Sequence, residues 1–459
     1  MKIDGKTRLI GLIGNPVEHT LSPVIHNGIS ERMNISSVYM PFKVESGGLA
    51  EAVKGAYELN VLGLNVTVPH KNQVMESLVE IDEAARQIGA VNTLVRVERG
   101  YKGYNTDMMG LRRQVKEDGI VLENETVVIL GAGGAAKAVV YMCLAEGVKK
   151  IYLLNRTVEK AQQIAESMQQ VDLSGIIVPM ALSEYSHIPE DKLIVFQATS
   201  IGLSPNVDRV VLEDEAFYQK VKIGVDLIYN PAETKFMRLV AAQGGHAYNS
   251  LKMLLYQGVI AYELWHDTAV PKEIIEDIYV DLKRSVYPKD NVVLIGFMGS
   301  GKTTFGKELA KRCSMDFLDT DAYIEEQAGK TIADIFKEDG EEAFRSLETQ
   351  VLKQLRDSRA NTVFSTGGGM PLRRENARLL KELGRVLYLT AAPQVIYDRV
   401  KGDTERPLLQ GDNPYEKICS LMKERRPIYE RAADAFIDTN SNDLEEIMAA
   451  IREEVIIYA

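Results

Sequence analysis

An α/β chain carrying two nucleotide-binding halves is what this sequence predicts, and three observations predict it. Short β-branched runs alternate with amphipathic helical stretches from the start. A glycine-rich turn, Gly131-Ala-Gly-Gly-Ala-Ala136, follows the apolar run Thr126 to Leu130. A second and unrelated loop, Gly296-Phe-Met-Gly-Ser-Gly-Lys302-Thr303, follows Asn291 to Ile295. The first suits a dinucleotide and the second a nucleoside triphosphate.

The elements follow in order. Strands are expected at Arg8 to Ile13, Val38 to Val44, Leu62 to Val68 and Val91 to Val97, with amphipathic segments between them. A second series starts at Thr126 and continues through Lys150 to Leu154, Leu193 to Gln197 and Lys222 to Leu227, with helices around Ala135 to Ala145 and Thr157 to Met168. That series reads as a doubly wound Rossmann sheet. After Asn249 the pattern turns helical through Asp267 and again from Pro271 to Arg284, until Ser285-Val-Tyr-Pro-Lys-Asp290 breaks it. The remainder restarts as a compact α/β domain with strands at Thr362 to Ser365, Arg385 to Leu389 and Ala435 to Ile437.

Length and composition exclude several classes. The 459 residues are enough for two or three domains, and 45% hydrophobic content fills a core in each. Lys+Arg number 29 against 35 Asp+Glu in residues 1–285 and 25 against 30 in 286–459, so neither part offers a basic surface to nucleic acid. Cys143, Cys313 and Cys419 are far apart and lack C-x-x-C spacing, which fits a reducing cytoplasm and suggests neither a disulfide framework nor a zinc site. No uncharged apolar run approaches the roughly 18 residues of a spanning helix, so neither membrane insertion nor secretion is expected.

In the first loop, Gly131 permits the tight turn, Gly133 lets the backbone approach a pyrophosphate, and the small Ala136 lets helix meet strand. The expected cradle is Gly131, Ala132, Gly133, Gly134 and Ala135. The next strand ends Asn155-Arg156-Thr157, where an NAD-preferring site commonly carries an acid. A neutral Asn155 and a cationic Arg156 favour the 2′-phosphate of NADP, although Arg156 also reads as a solvated helix-start residue.

Five further motifs narrow the reading: Gly14-Asn15-Pro16 with His19-Thr-Leu-Ser22-Pro23, Asn65-Val-Thr67-Val-Pro69-His-Lys71, Gly89-Ala-Val-Asn92-Thr93, and Asn105-Thr-Asp107. Together with the glycine turn they resemble the shikimate dehydrogenase family over residues 5–285. The resemblance implies a catalytic pair Lys71 and Asp107, with Thr20, Ser22, Thr67, Asn92, Tyr229 and Gln257 around the substrate. Taken singly, Lys71 also reads as a surface lysine beside a turn, Asp107 as a helix N-cap and Asn92 as a turn residue. Two departures stand out: Thr20 replaces the family's usual serine, and Asn249-Ser-Leu-Lys252 replaces an Asp-Gly-Leu-Gly-like stretch. The second is expected to remove flexibility and an acid near the substrate helix, and so to affect affinity or the choice between shikimate and quinate.

In the second loop, backbone N–H groups of Gly299, Ser300 and Gly301 wrap phosphate oxygens, Lys302 reaches the β/γ phosphates, Thr303 ligates Mg²⁺ and Thr304 adjoins it. Phe317-Leu-Asp319-Thr-Asp321, Gly340-Glu-Glu-Ala-Phe-Arg345, Gly367-Gly368-Gly369, Arg406-Pro-Leu-Leu409 and Glu424-Arg425-Arg-Pro-Ile-Tyr429 resemble shikimate kinase across residues 291–440. By that resemblance Asp319 belongs to the metal environment and Asp321 meets the substrate hydroxyl. Arg345, Arg425 and the Gly367 to Gly369 backbone hold shikimate, Arg406 faces the transferring phosphoryl group, and Arg399 approaches the nucleotide. The plainer alternatives are a helix salt bridge for Arg345, N-cap acids for Asp319 and Asp321, and a solvated face for Arg426.

The resulting expectation is a substrate-binding α/β domain over 1–106 and 242–284, a Rossmann NADP domain over 107–241, a linker at 285–290 and a P-loop kinase domain over 291–459. Such a chain reduces 3-dehydroshikimate with NADPH and phosphorylates the shikimate formed with MgATP. The rivals are a quinate- or NAD-linked dehydrogenase fused to the kinase, and a regulatory relative without catalysis. Whether the chain forms a homo-oligomer is left open.

Overall fold

In the computed structural model, residues 3–172, 174–287, 290–401, 413–441 and 443–456 are described. The chain divides into two compact units, Met1–Leu282 and Lys283–Ala459.

The first unit holds two sheets. One is six-stranded and mixed: Ser37–Lys43, Arg8–Gly14 and Gly63–Val66 run parallel, and then Thr93–Val97 and Gly100–Tyr104 form an antiparallel hairpin, with Glu80–Ile81 at the far edge. The hairpin's second strand, Gly-Tyr-Lys-Gly-Tyr, has no β-branched residue, so a search for such runs passes over it. Its alternating burial, with Tyr101 and Gly103 inside, is the signal that remains.

The other sheet is six-stranded and entirely parallel. Its spatial order is Ile177–Ala181, Lys150–Asn155, Thr126–Leu130, Leu193–Gln197, Val221–Asp226 and His246–Asn249, the 3-2-1-4-5-6 arrangement of a dinucleotide fold. The sequence had suggested only the four central strands. The outer two carry Pro179 and a mostly polar His-Ala-Tyr-Asn run, compositions that suit edges and read poorly as strands.

Why the central strands are apolar on both sides is clear from what covers them. Val127, Ile129, Ile151 and Leu153 pack into one core, whereas Val128, Leu130, Tyr152 and Leu154 pack into another on the opposite face. A parallel sheet covered by helices on both faces requires this.

The second unit repeats the logic with five parallel strands in the order Asp316–Asp319, Thr362–Ser365, Val292–Ile295, Arg385–Thr390 and Ala435–Asp438. Val293, Ile295 and Phe364 face one core, and Val292, Leu294 and Val363 face the other. The helix Lys272–Val286 continues two residues beyond the Arg284 end expected from sequence. Among the described residues no helix is long and apolar enough to cross a membrane.

Candidate active sites

Beside the first sheet lies a cavity of about 280 Å³. Thr20, Ser22, Thr67, Lys71, Asn92, Asp107, Tyr229 and Gln257 all line it, joined by Asn65, His19 and Leu254 among others. Lys71 follows the strand Gly63–Val66 in a turn held by the Val91 N–H on the Lys71 carbonyl (2.8 Å). Its Nζ donates to Asp107 Oδ2 at 2.6 Å, with both side chains about a quarter to a third exposed.

Asp107 sits in the first turn of the helix Thr106–Glu117, where the helix N-terminus favours a carboxylate. The N-cap is Asn105, whose Oδ1 accepts from the Met108 N–H, so Asp107 is left free to face Lys71. Asn92 uses Oδ1 to accept from the Thr106 N–H at 2.7 Å, which leaves its other branch, an amide donor, to offer the cavity. Gln257 lies on the helix Leu251–His266. That helix crosses Thr106–Glu117 closely because of Gly110: a Cβ there would stand 2.6 Å from the Gln257 nitrogen and 2.8 Å from the Met253 carbonyl.

The dinucleotide turn keeps the same economy of side chains. Gly131 has φ +113°, and a Cβ on it would meet Thr199 Cγ2 at 2.7 Å. Around Gly133 and Gly134 nothing stands within 4 Å of such a Cβ, so backbone and ligand can approach at the start of the helix Gly134–Ala145. Ala136 is fully buried under that helix. Ala132 is half-buried and Ala135 exposed. Asn155 Nδ2 donates to the Thr157 carbonyl at 2.8 Å, turning the chain so that Arg156 is exposed beside a second cavity with Leu182, Ser183, Tyr185 and Leu212.

In the second unit the P-loop wraps its own lysine. Lys302 Nζ donates to the Gly296 carbonyl at 2.9 Å and to the Phe297 carbonyl at 3.1 Å. Thr303 Oγ1 donates to Asp319 Oδ2 at 3.0 Å. Asp319 is also the N-cap of the helix Thr320–Ala328, accepting from the Asp321 N–H, so the capping alternative and the proximity to Thr303 hold together. Asp321 is not a cap: its Oδ1 is buried without a partner, and burial, reinforced by the Asp319 charge, pushes its carboxyl up to about 6 against the pull of Lys302 and Arg345. Ser300 is buried, and its hydroxyl likewise lacks a partner. Thr304 is exposed on the helix Lys302–Cys313.

The Gly367 to Gly369 segment is shaped by its neighbours. A Cβ at Gly367 would overlap Asp321 Oδ1, and one at Gly369 would overlap the Arg345 guanidinium. Gly368 is fixed through its carbonyl by the Tyr429 hydroxyl at 2.6 Å. Arg345 makes the helix salt bridge, to Glu348 at 2.9 Å and Glu341 at 3.3 Å, and still abuts Gly369. Arg425 lies 6.0 Å from the centre of the Phe297 ring. Arg399 donates to the Thr439 carbonyl at 2.6 Å and, more weakly, to the Gly299 carbonyl at 3.4 Å. Arg426 pairs with Glu430 on an exposed face, as its plain reading expected. Arg406 lies outside the described residues.

A family model described as the shikimate dehydrogenase substrate binding domain matches residues 12–94, one described as shikimate / quinate 5-dehydrogenase matches 113–216, and one described as shikimate kinase matches 298–456. The NADP⁺ shikimate dehydrogenase of Desulforamulus reducens is 39% identical over 279 residues, which are 60% of this chain and 96% of that protein. The chain belongs to the shikimate dehydrogenase family. Its carboxy-terminal part is a shikimate kinase domain, so the two enzymes are fused in one chain.

Among solved structures, a shikimate dehydrogenase in complex with NADP⁺ superposes with a TM-score of 0.56 at 35% identity, over 61% of this chain and 97% of that one. The Thermus thermophilus enzyme, solved with NADP(H) and shikimate, gives 0.53 at 30% identity, over 60% and 100%.

Sequence reasoning missed several contributors. Asn65 lines the dehydrogenase cavity with both amide atoms committed, accepting from Tyr39 at 2.9 Å and donating to Thr93 at 3.1 Å, so it braces the wall. Glu348 is fully buried in the kinase domain, where burial pushes it up to about 7 despite Arg345. Its place three residues after Arg345 was the available signal. Lys252, within the Asn249 departure, does not line the cavity: it pairs with Asp118 at 2.5 Å and Glu117 at 3.4 Å.

Proposed function

We propose that this chain reduces 3-dehydroshikimate to shikimate with NADPH and then phosphorylates shikimate to shikimate 3-phosphate with MgATP. The observation that carries the first activity is the 2.6 Å Lys71–Asp107 pair inside a cavity walled by hydroxyl and amide side chains. Such a wall suits a polyhydroxylated ring, because buried donors and acceptors reject analogues that lack matching hydroxyls.

The open space at Gly133 and Gly134 and the exposed Arg156 fit a dinucleotide bearing a 2′-phosphate. Bound there, it supplies the hydride. As negative charge grows on the substrate carbonyl oxygen, the Lys71 ammonium offsets it and delivers a proton. Asp107 holds that ammonium toward the cavity.

For the kinase, Thr303 and Asp319 fit magnesium, which is commonly held by one or two protein oxygens together with nucleotide phosphates. When bound, it neutralises charge on the phosphates. Lys302 exchanges its two loop carbonyls for phosphate oxygens. The unpartnered Oδ1 of Asp321 is ready to accept the proton of the attacking hydroxyl, while Arg345 and Arg425 receive the shikimate carboxylate.

The test mixes protein, 3-dehydroshikimate, NADPH and MgATP, and follows the loss of NADPH absorbance together with ADP release. Lys71→Ala should lose the first activity alone and Lys302→Ala the second alone, each by about a hundredfold or more. Turnover of neither substrate by the unaltered chain would overturn the reading.

A further inference from the structure

Behind the dehydrogenase cavity, four buried polar side chains form a cluster that no step above employs. Asp226 ends the strand Val221–Asp226 and is fully buried, as are its register partner Gln197 on the adjacent strand and, nearly so, Thr234 and Ser250. Asp226 Oδ1 accepts from Gln197 Nε2 at 3.1 Å and from the Ile228 N–H at 3.0 Å. Its Oδ2 accepts from the Thr234 hydroxyl at 2.6 Å, and its carbonyl accepts from the Ser250 hydroxyl at 2.8 Å.

Each bond leads somewhere functional. Ile228 precedes Tyr229, which lines the substrate cavity, and Thr234 caps the helix Lys235–Ala242 that closes the same loop. On the other side, Gln197 Oε1 accepts from both the Thr199 N–H at 2.6 Å and the Thr199 hydroxyl at 2.7 Å. The Thr199 methyl fills the space that a side chain at Gly131 would need, which places it against the dinucleotide turn. The two loops also touch directly, the Ser204 N–H donating to the Asn230 carbonyl at 3.2 Å.

We propose that Asp226 and Gln197 are positioning residues that bracket the Tyr229 loop to the Thr199 loop, so that dinucleotide binding tightens the binding of the substrate and the reverse. This rests on the assignment of the two ligands to the first unit. A carboxylate in full burial is expensive, and burial pushes this one up to about 6 while its three hydrogen bonds pull it down. Holding a loop by packing alone would not need such a group. An acceptor that takes three donors at once, one from the adjacent strand and two from the segment around Tyr229, does.

Coupling between two ligands is reciprocal, and its usual size is roughly 5- to 150-fold in affinity. The test uses the full chain and measures the dissociation constant of shikimate with and without saturating NADP⁺, in wild type, Gln197→Met and Asp226→Ala. NADP⁺ should tighten shikimate about fivefold or more in wild type and by less than about twofold in a variant that folds. Shikimate affinity without NADP⁺ should stay near wild type in Gln197→Met, which a merely structural role would not predict. Asp226→Asn, which keeps an acceptor toward Gln197 and Ile228, should restore most of the coupling.

Equal coupling in wild type and variants, or none in wild type, overturns the bracket while leaving the activity assignment intact. So does failure of both variants to fold while kinase turnover persists, since the cluster is then structural only. Wild type that binds neither ligand would overturn the assignment beneath it.

Discussion

Lys71 Nζ and Asp107 Oδ2 are 2.6 Å apart, yet the two residues come from separate segments 36 positions apart, a turn and a helix's first turn. Among the described residues no other ion pair reaches either group, so the pair acts as a unit. Replacing either removes the same arrangement. Lys71→Ala and Asp107→Ala should each lower kcat by about a hundredfold or more, and the double variant should lose little beyond the worse single one. Steady-state kinetics on 3-dehydroshikimate checks this. A double variant whose losses multiply would show that the two side chains work independently.

Dinucleotide choice is expected to rest on Arg156, which is exposed at the end of the strand Lys150–Asn155 with no acid beside it on Asn155 or Thr157. A charged hydrogen bond to phosphate is worth about 1.5–3 kcal/mol. Arg156→Ala should therefore raise KM for NADPH about tenfold or more and leave that for NADH within about twofold. Equal changes for both would place the arginine outside 2′-phosphate recognition.

Much of this was legible before any fold was known. The glycine turns and the lysines announce themselves because the backbone and charge requirements of phosphate binding fall on contiguous residues. The dehydrogenase cavity was legible only through resemblance, since Thr20, Lys71, Asn92, Tyr229 and Gln257 come from five separate segments and no local rule joins them. What stayed hidden were residues whose work is to brace others. Asn65, Gly110 and Glu348 each act through neighbours in space, and composition gives no sign of which neighbours.

Asp321 and Glu348 give the kinase a defined pH response. Their carboxyls are raised to about 6 and about 7, so the folded chain holds protons there that the unfolded chain releases nearer pH 4. With more protons bound in the native state, stability falls as pH rises through the window from about 4 to 7. Activity runs the other way, because proton acceptance requires ionised Asp321. Shikimate phosphorylation should fall below about pH 6 and be lost in Asp321→Asn, and thermal unfolding of that variant should depend less on pH between 4 and 6. An unchanged acid limb in Asp321→Asn would remove the carboxylate from that role.

Gly369 is tested by size alone. Its φ of −90° is open to any residue, so Gly369→Ala introduces no backbone strain, but the new methyl overlaps the Arg345 guanidinium that Glu348 holds in place. The expected result is a KM for shikimate raised about tenfold with a nearly unchanged melting temperature. A fall in stability with unchanged KM would show Arg345 yielding without consequence for the substrate.

The Asn249 to Lys252 departure was expected to alter substrate affinity, and the geometry argues against that route for Lys252. Its ammonium is drawn to Asp118 and Glu117 at the far end of the helix Thr106–Glu117, nearly the whole length of that helix from Asp107. Asn249 is likewise occupied: Nδ2 donates to the Ala232 carbonyl at 2.8 Å, and Oδ1 caps the Leu251 N–H. The segment thus ties the start of the helix Leu251–His266 to Asp118, Glu117 and the Ala232 carbonyl. Lys252→Gly should cost about 1 kcal/mol, read as a fall of about 2–4 °C in melting temperature, with kcat and KM for 3-dehydroshikimate within about twofold of wild type. A large gain or loss in KM at unchanged stability would return this segment to the substrate site.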